Sequence, residues 1–194
     1  MINVNNVDYV IVELKYENSV SKLYKCKYLD KFYAIKCYRK KYIKRWKNEI
    51  LFFDDISPNK NVINLINYCS HTIIKGELYY PMVFEYSEYG DLFEVINKLK
   101  MDKSLVISIF NQILNGVNHL NKHGWAHRDI KMENILVTNL NPIQVKVIDF
   151  EYATKNKYSK FQTGTLCYMS PEILKNEKYN TMKNDVWALG IILF

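Results

Sequence analysis

The sequence predicts an α+β fold in which a small antiparallel sheet carrying one helix precedes a mainly helical part. Two observations predict it. Short runs of β-branched and aromatic residues crowd the first 86 positions, interrupted by one stretch of helical spacing. Beyond Gly90 the apolar residues recur at three- and four-residue intervals instead. The expected division is therefore 1–86 and 87–194.

Each element follows from its own residues. Val10, Ile11 and Val12, then Leu23, Tyr24 and Cys26, then Phe32, Tyr33, Ala34 and Ile35 read as three antiparallel strands with polar breaks between them. Lys40 to Phe53 reads as a helix, with Tyr42, Ile43, Trp46, Ile50 and Phe53 on one face, and Ser57-Pro58-Asn59 ends it. Strands around Ile63 to Tyr68 and Leu78 to Tyr86 bring the sheet to five. Ile107, Phe110, Ile113, Leu114, Val117 and Leu120 mark a long amphipathic helix that closes at His123-Gly124. The apolar run Val186 to Phe194 is too short to span a bilayer, which takes about 20 residues, and reads as the start of a buried helix.

Composition bounds the function. A chain of 194 residues with 48% hydrophobic content can bury a core. The net charge of +7 suits polyanions in general, but the lysines are dispersed, and the cluster Arg39, Lys40, Lys41, Lys44, Arg45 and Lys47 fits a solvated helix face. No specific nucleic-acid or membrane partner is expected. Cys26, Cys37, Cys69 and Cys167 stand far apart without a C-x-x-C pair, which excludes a zinc ribbon and argues against a disulfide framework. A reducing compartment is expected, cytoplasmic and with the nucleus left open. Asn3, Asn5, Asn6 and Asp8 interrupt the N-terminus, which lacks the pattern of a signal peptide.

The chemistry is concentrated in His127-Arg128-Asp129-Ile130-Lys131-Met132-Glu133-Asn134. This run resembles the catalytic loop of protein kinases, and the lysine two places beyond the aspartate resembles the serine/threonine class. The resemblance implies a bilobal kinase fold, with a five-stranded N-lobe over 1–86 and a helical C-lobe over 87–194, ATP and magnesium as cofactors, and a protein substrate with a serine or threonine acceptor. It implies Asp129 for the substrate hydroxyl, Lys131 for the moving phosphoryl group and Asn134 for magnesium. Asp149-Phe150-Glu151 stands where the family has Asp-Phe-Gly. Asp149 keeps the metal carboxylate, whereas Glu151 forfeits the backbone freedom of glycine at that corner.

The rest of the chain is similar to the family in the same sense. Tyr33-Ala34-Ile35-Lys36 resembles the strand whose lysine meets the nucleotide phosphates, and Glu49 is implied as its ion-pair partner. Leu23, Ala34 and Leu136 are implied around adenine, with Phe84 as gatekeeper and Glu85-Tyr86-Ser87 as the hinge. Asp91 aligns near ribose and substrate, and with Glu133 it favours basic residues before the target serine. Thr165, in Gly164-Thr165-Leu166-Cys167-Tyr168-Met169-Ser170-Pro171-Glu172, is implied beside Asp129 and Lys131. Arg128 implies a segment regulated by phosphorylation, with Ser159 and Thr163 as acceptors and hence an activating kinase or regulatory protein as partner. Asp185 is implied to brace the catalytic loop. Phe53, Leu65, His127 and Phe150 are expected to stack, although plain core packing accounts for the same residues.

Two departures weigh against activity. Tyr16, Asn18 and Ser21 occupy the places of three glycines in the phosphate loop, and no glycine precedes Gly76. Either the loop clamps phosphate poorly or asparagine tolerates the geometry; both readings stay open. The family's domain also continues beyond the position of Phe194, so the expectation is exposed apolar surface, an unpaired Glu172 costing about 3 to 5 kcal/mol as a stripped buried ion, and poor solubility. The alternative function is a pseudokinase or kinase fragment that acts as an interaction scaffold.

Overall fold

The computed structural model describes residues 1–99 and 101–194. Its first surprise lies at the N-terminus. Asn5 and Asn6 both take left-handed angles, φ 51° and 64°, and close a two-residue hairpin between β1 (Ile2–Val4) and β2 (Val7–Glu17). Two consecutive positive φ values suit the twist of a tight hairpin, and asparagine tolerates them. Ile2 and Val4 are thereby buried.

β3 (Ser21–Tyr28) and β4 (Lys31–Arg39) follow, then a short 3-10 turn over Lys40–Tyr42 and helix α1 (Ile43–Asp55). β5 (Leu65–Tyr68), β6 (Thr72–Ile74) and β7 (Glu77–Glu85) complete an antiparallel sheet in the order β1-β2-β3-β4-β7-β5, with β6 also pairing β7. The sheet has seven strands. The five expected from the sequence are present, and the two additions, β1 and β6, are each only three residues long. Both depend on left-handed turns, the second at Lys75 (φ 51°) and Gly76 (φ 82°). One face of the sheet packs Ile2, Val4, Tyr9, Tyr24, Cys26, Ile35, Cys37, Ile74, Tyr79 and Val83 into a core.

The chain divides into two compact units, one of residues 1–47 and 63–86, the other of 48–62 and 87–194. Residues 48–62 thus group with the later unit although the sequence reading set them with the earlier one. In that second unit, α2 (Leu92–Ile96) is capped by Asp91 and α3 (Lys103–Lys122) by Asp102, each carboxylate accepting an amide of the first turn. Ile109, Ile113, Gly116, Val117 and Leu120 form the buried face of α3. That face packs on β9 (Ile143–Val147), which pairs with β8 (Ile135–Leu140) in a two-stranded ribbon. β10 (Tyr158–Ser159), α4 (Pro171–Leu174), β11 (Tyr179–Asn180) and α5 (Thr181–Leu193) follow, with β10 and β11 paired.

All four cysteines are free thiols: Cys26 and Cys37 are buried, Cys69 is half-buried and Cys167 is exposed. Among the described residues no helix is long and apolar enough to cross a membrane.

Candidate active site

The site begins where α3 ends. Gly124 takes φ 80°, the Trp125 amide reaches back to the Leu120 carbonyl at 3.0 Å, and the Gly124 amide bonds Asn121 at 3.0 Å. This glycine-terminated closure satisfies the last carbonyls of the helix and turns the chain sharply. Trp125 is then pinned by its indole N–H on Asp55 at 2.7 Å.

From there α5 takes over. The buried Asp185 carboxylate accepts the amides of His127 at 2.7 Å and Arg128 at 2.8 Å. With both amides fixed, Arg128 is held at φ 72°, a conformation that residues carrying a Cβ rarely adopt and that the surroundings must enforce. The His127 ring accepts the Asp129 amide through Nδ1 at 3.2 Å, and its Nε2 lies 3.0 Å from the Ile148 carbonyl. That pattern assigns the neutral imidazole with its proton on Nε2.

Asp129 itself is 8% exposed and fully engaged. Thr165 donates its hydroxyl to Oδ1 at 2.9 Å, while Lys131 donates to that same hydroxyl at 2.8 Å and sits 3.2 Å from Oδ2. Asn134 spends its amide N–H groups on the Asp129 carbonyl at 2.8 Å and on Oδ2 at 3.1 Å. Burial pulls the Lys131 ammonium down, but the Asp129 carboxylate outweighs it and the group titrates above its ordinary value. Asp129, Lys131, Asn134 and Thr165 are therefore one hydrogen-bonded unit. A carboxylate so held can accept a proton from an alcohol without having to reorganise.

The Asp-Phe-Glu corner sits beside it. Phe150 is fully buried, and its ring stacks on Phe52 at 4.0 Å and 11°. Phe53 at 5.4 Å and His127 at 5.1 Å meet it edge-on. Glu49, 1% exposed, accepts the Phe150 amide at 3.0 Å. Asn48 donates to the carbonyls of Glu151 at 3.2 Å and Ala153 at 2.9 Å. The left-handed residue of this corner is Asp149 at φ 66°, and Glu151 lies outside that region. The expectation that Glu151 forfeits a needed freedom is thus corrected: a Cβ at 151 costs nothing in this conformation.

Further along, Gly164 takes φ 104° and passes so close to the Arg128 carbonyl that a Cβ would lie 2.5 Å from it. The Arg128 guanidinium donates to Thr163 at 2.7 Å, to the Phe161 carbonyl at 3.4 Å, and to the Tyr179 hydroxyl at 3.2 Å; Ser159 lies at 3.5 Å. Both sequence-predicted acceptors are within its reach. Glu172 is exposed rather than buried, so water solvates its carboxylate and the expected penalty for a stripped buried ion does not arise.

The first unit carries the other predicted residues. Leu23 pairs with Lys36, and Ala34 pairs with Phe84, so Leu23, Ala34, Lys36 and Phe84 share one face of the sheet. The Lys36 ammonium lies 4.6 Å from the Tyr38 ring centroid. Glu85 accepts the Asn64 amide at 3.2 Å. Asn18 and Ser21 form the tip between β2 and β3. Glu49, Ser87, Asp91, Leu136 and Asp149 belong to the second unit. There Ser87 donates to the Val137 carbonyl, Asp91 is spent on its helix cap and its carboxyl is raised by burial, and Leu136 pairs with Lys146.

The donor set fits magnesium. Because the N–H groups of Asn134 are committed to Asp129, its carbonyl oxygen is the end that would face a cation, with Asp149 as the carboxylate that would join it. Magnesium suits few protein ligands and completes its shell with water and phosphate oxygens. Among the described residues no three His, Cys, Asp or Glu side chains converge as a metal-holding group.

Residues 17–194 match the family model for the protein kinase domain. The chain belongs to the protein kinase family. Its relatives place it among the eukaryotic-type serine/threonine kinases. It is 36% identical to the serine/threonine-protein kinase ksp1 of Schizosaccharomyces pombe over 182 residues, 87% of this chain and 37% of that protein. It is 36% identical to the serine/threonine-protein kinase CLA4 of Candida albicans over 151 residues, 75% of this chain and 15% of that protein. A 29% match to the fatty acyl-CoA synthetase and RNA processing-associated kinase 1 of Saccharomyces cerevisiae covers 68% of this chain and 16% of that protein. This kinase chain therefore spans little more than a third of one relative and far less of the other two.

Sequence reasoning missed three residues of the site. Phe52, not Phe53 alone, carries the stacking on Phe150. Tyr179 joins the Arg128 cluster, and Asn48 ties α1 to the corner. Only the adjacent aromatic pair Phe52-Phe53 offered a signal.

Proposed function

We propose that this chain is part of the catalytic domain of an enzyme that transfers phosphate from ATP to serine and threonine side chains of proteins. The observation that carries the reading is the bond chain from Lys131 through Thr165 to Asp129, at 2.8 and 2.9 Å. Asp129 orients the substrate hydroxyl and receives its proton, Lys131 stabilises negative charge on the oxygens in transfer, and Thr165 fixes the two relative to each other. Asn134 and Asp149 would hold magnesium, and Lys36 would hold the nucleotide phosphates with Glu49 as its partner. Magnesium-ATP, when bound, supplies the phosphoryl group. In this reading 1–86 and 87–194 are the two lobes, Leu23, Ala34 and Leu136 enclose adenine, and Glu85 and Ser87 present hinge backbone. The dispersed cysteine pattern of the sequence suits a reducing, intracellular setting.

A thermal-shift titration with magnesium-ATP tests the site, since a ligand of the folded state must raise its melting temperature. The shift is expected in the unaltered protein and lost in Lys36→Met and Asp149→Asn. A folded protein that shows no shift would favour the scaffold reading, which the glycine-free tip between β2 and β3 also supports.

A further inference from the structure

The tip between β2 and β3 has no left-handed residue, and its conformation is set by Asn18. The Asn18 amide closes the turn on the Ser21 carbonyl at 3.0 Å. Its side-chain Oδ1 then accepts the amides of Val20 and Ser21, both at 2.8 Å, and its Nδ2 donates to the Tyr16 hydroxyl at 3.0 Å. Three amides of this loop are thus satisfied inside the loop. Arg39 fastens it from β4: its amide reaches the Val20 carbonyl at 3.0 Å and its Nε reaches the Asn18 carbonyl at 3.3 Å. Glu17 pairs with both Arg39 and Lys22, so a carboxylate occupies the two cations nearest the tip.

We propose that the Asn18 carboxamide acts as a built-in surrogate for a nucleotide phosphate and makes Asn18 a determinant of specificity against the triphosphate. A phosphate oxygen is an acceptor that would seek convergent backbone amides. In this tip an uncharged acceptor already occupies two of them, at hydrogen-bond distance and from within the same turn. Phosphate can engage the loop only by displacing that oxygen and competing with Glu17 for the cations. The nucleotide is consequently held by its base and by the groups outside the tip, and ATP gains less over adenosine than a free loop would give. The inference rests on the nucleotide reading proposed above.

The test compares binding of magnesium-ATP and of adenosine by calorimetry in the unaltered protein, Asn18→Ala and Asn18→Asp. Alanine fits the backbone because Asn18 is not left-handed. Freeing two amides for a charged acceptor should tighten ATP by about tenfold in Asn18→Ala and leave adenosine unchanged. Asn18→Asp keeps the acceptor, adds a negative charge, and should weaken ATP while sparing adenosine. Hydrogen exchange of the Val20 and Ser21 amides without nucleotide gives a second readout: slow in the unaltered protein, fast in Asn18→Ala. An unchanged ratio of ATP to adenosine affinity once the amides are freed overturns the proposal alone. Failure of adenosine and ATP to bind any of the three proteins overturns the nucleotide reading and the proposal together.

Discussion

At the scale of single residues, Thr165 has the most exposed job, because its one hydroxyl joins the cation to the carboxylate. Thr165→Val should lower kcat by about 10- to 100-fold, the worth of one or two hydrogen bonds to charged groups, while the melting temperature moves by a few degrees. Steady-state kinetics on a peptide substrate checks it; unchanged kcat would remove Thr165 from the mechanism. Asp185 carries a pH dependence. Burial pushes its carboxyl up to about 6 from 3.8, against the pull of the two backbone amides it accepts and of the Arg128 cation. Between those values the folded state binds the extra proton, so stability falls as pH rises through 6 and is regained on acidification toward 4. The gain from pH 7 to 5 should be of order 1 kcal/mol and absent in Asp185→Asn; urea midpoints at the two pH values decide it. Single residues were also where the sequence was most legible. Asp129, Lys131, Asn134 and Thr165 were named from their types and spacing, and the structure joins their side chains in one hydrogen-bonded unit. The backbone angle at position 151 was not legible, because sequence records residue types and the left-handed angle belongs to Asp149.

At the scale of elements, α1 and α3 show what periodicity can and cannot resolve. Apolar spacing pointed inward along Tyr42 and Ile43, then Trp46, Ile50 and Phe53, of which Tyr42 belongs to the 3-10 turn ahead of α1. Phe52 and Phe53 are about 100° apart on the helix, and both face the Phe150 ring, a distinction no hydrophobic pattern makes. Phe52→Ala removes the stacked partner and should cost about 3 to 5 kcal/mol, more than Phe53→Ala; denaturant unfolding of the two variants ranks them. On α3, Gly116 lies where a Cβ would stand 2.6 Å from the Asn61 carbonyl and 2.9 Å from Val147. Helix propensity alone favours alanine there, by about 1 kcal/mol, but the contact is with backbone that cannot retreat. Gly116→Ala is therefore expected to destabilise, and a raised melting temperature would refute the close approach. Strands β1 and β6 escaped the sequence reading because each is three residues long, below the length at which alternation can be recognised. Asn5-Asn6 was the available signal, and it was read as a polar interruption when it is a turn.

At the scale of the molecule, the second unit leaves an apolar helix face uncovered: Val186, Trp187, Ile191 and Leu193 of α5 are all exposed. Patches of this kind promote association. Sedimentation should show concentration-dependent self-association that Trp187→Lys reduces. The grouping of residues 48–62 with the later unit was not legible, since it arises from contacts such as Asn61 with Val145 and Gln112 rather than from any local pattern. The four thiols differ in the same long-range way. Burial pushes Cys26 up to about 12 and raises Cys37 and Cys69 as well, so none of these forms thiolate readily at neutral pH. Cys167 alone is exposed, two residues beyond Thr165. A maleimide fluorophore should therefore attach there first without any engineered cysteine, and the chain comes with its own attachment point for an optical reporter two residues from the Thr165 hydroxyl that bonds Asp129.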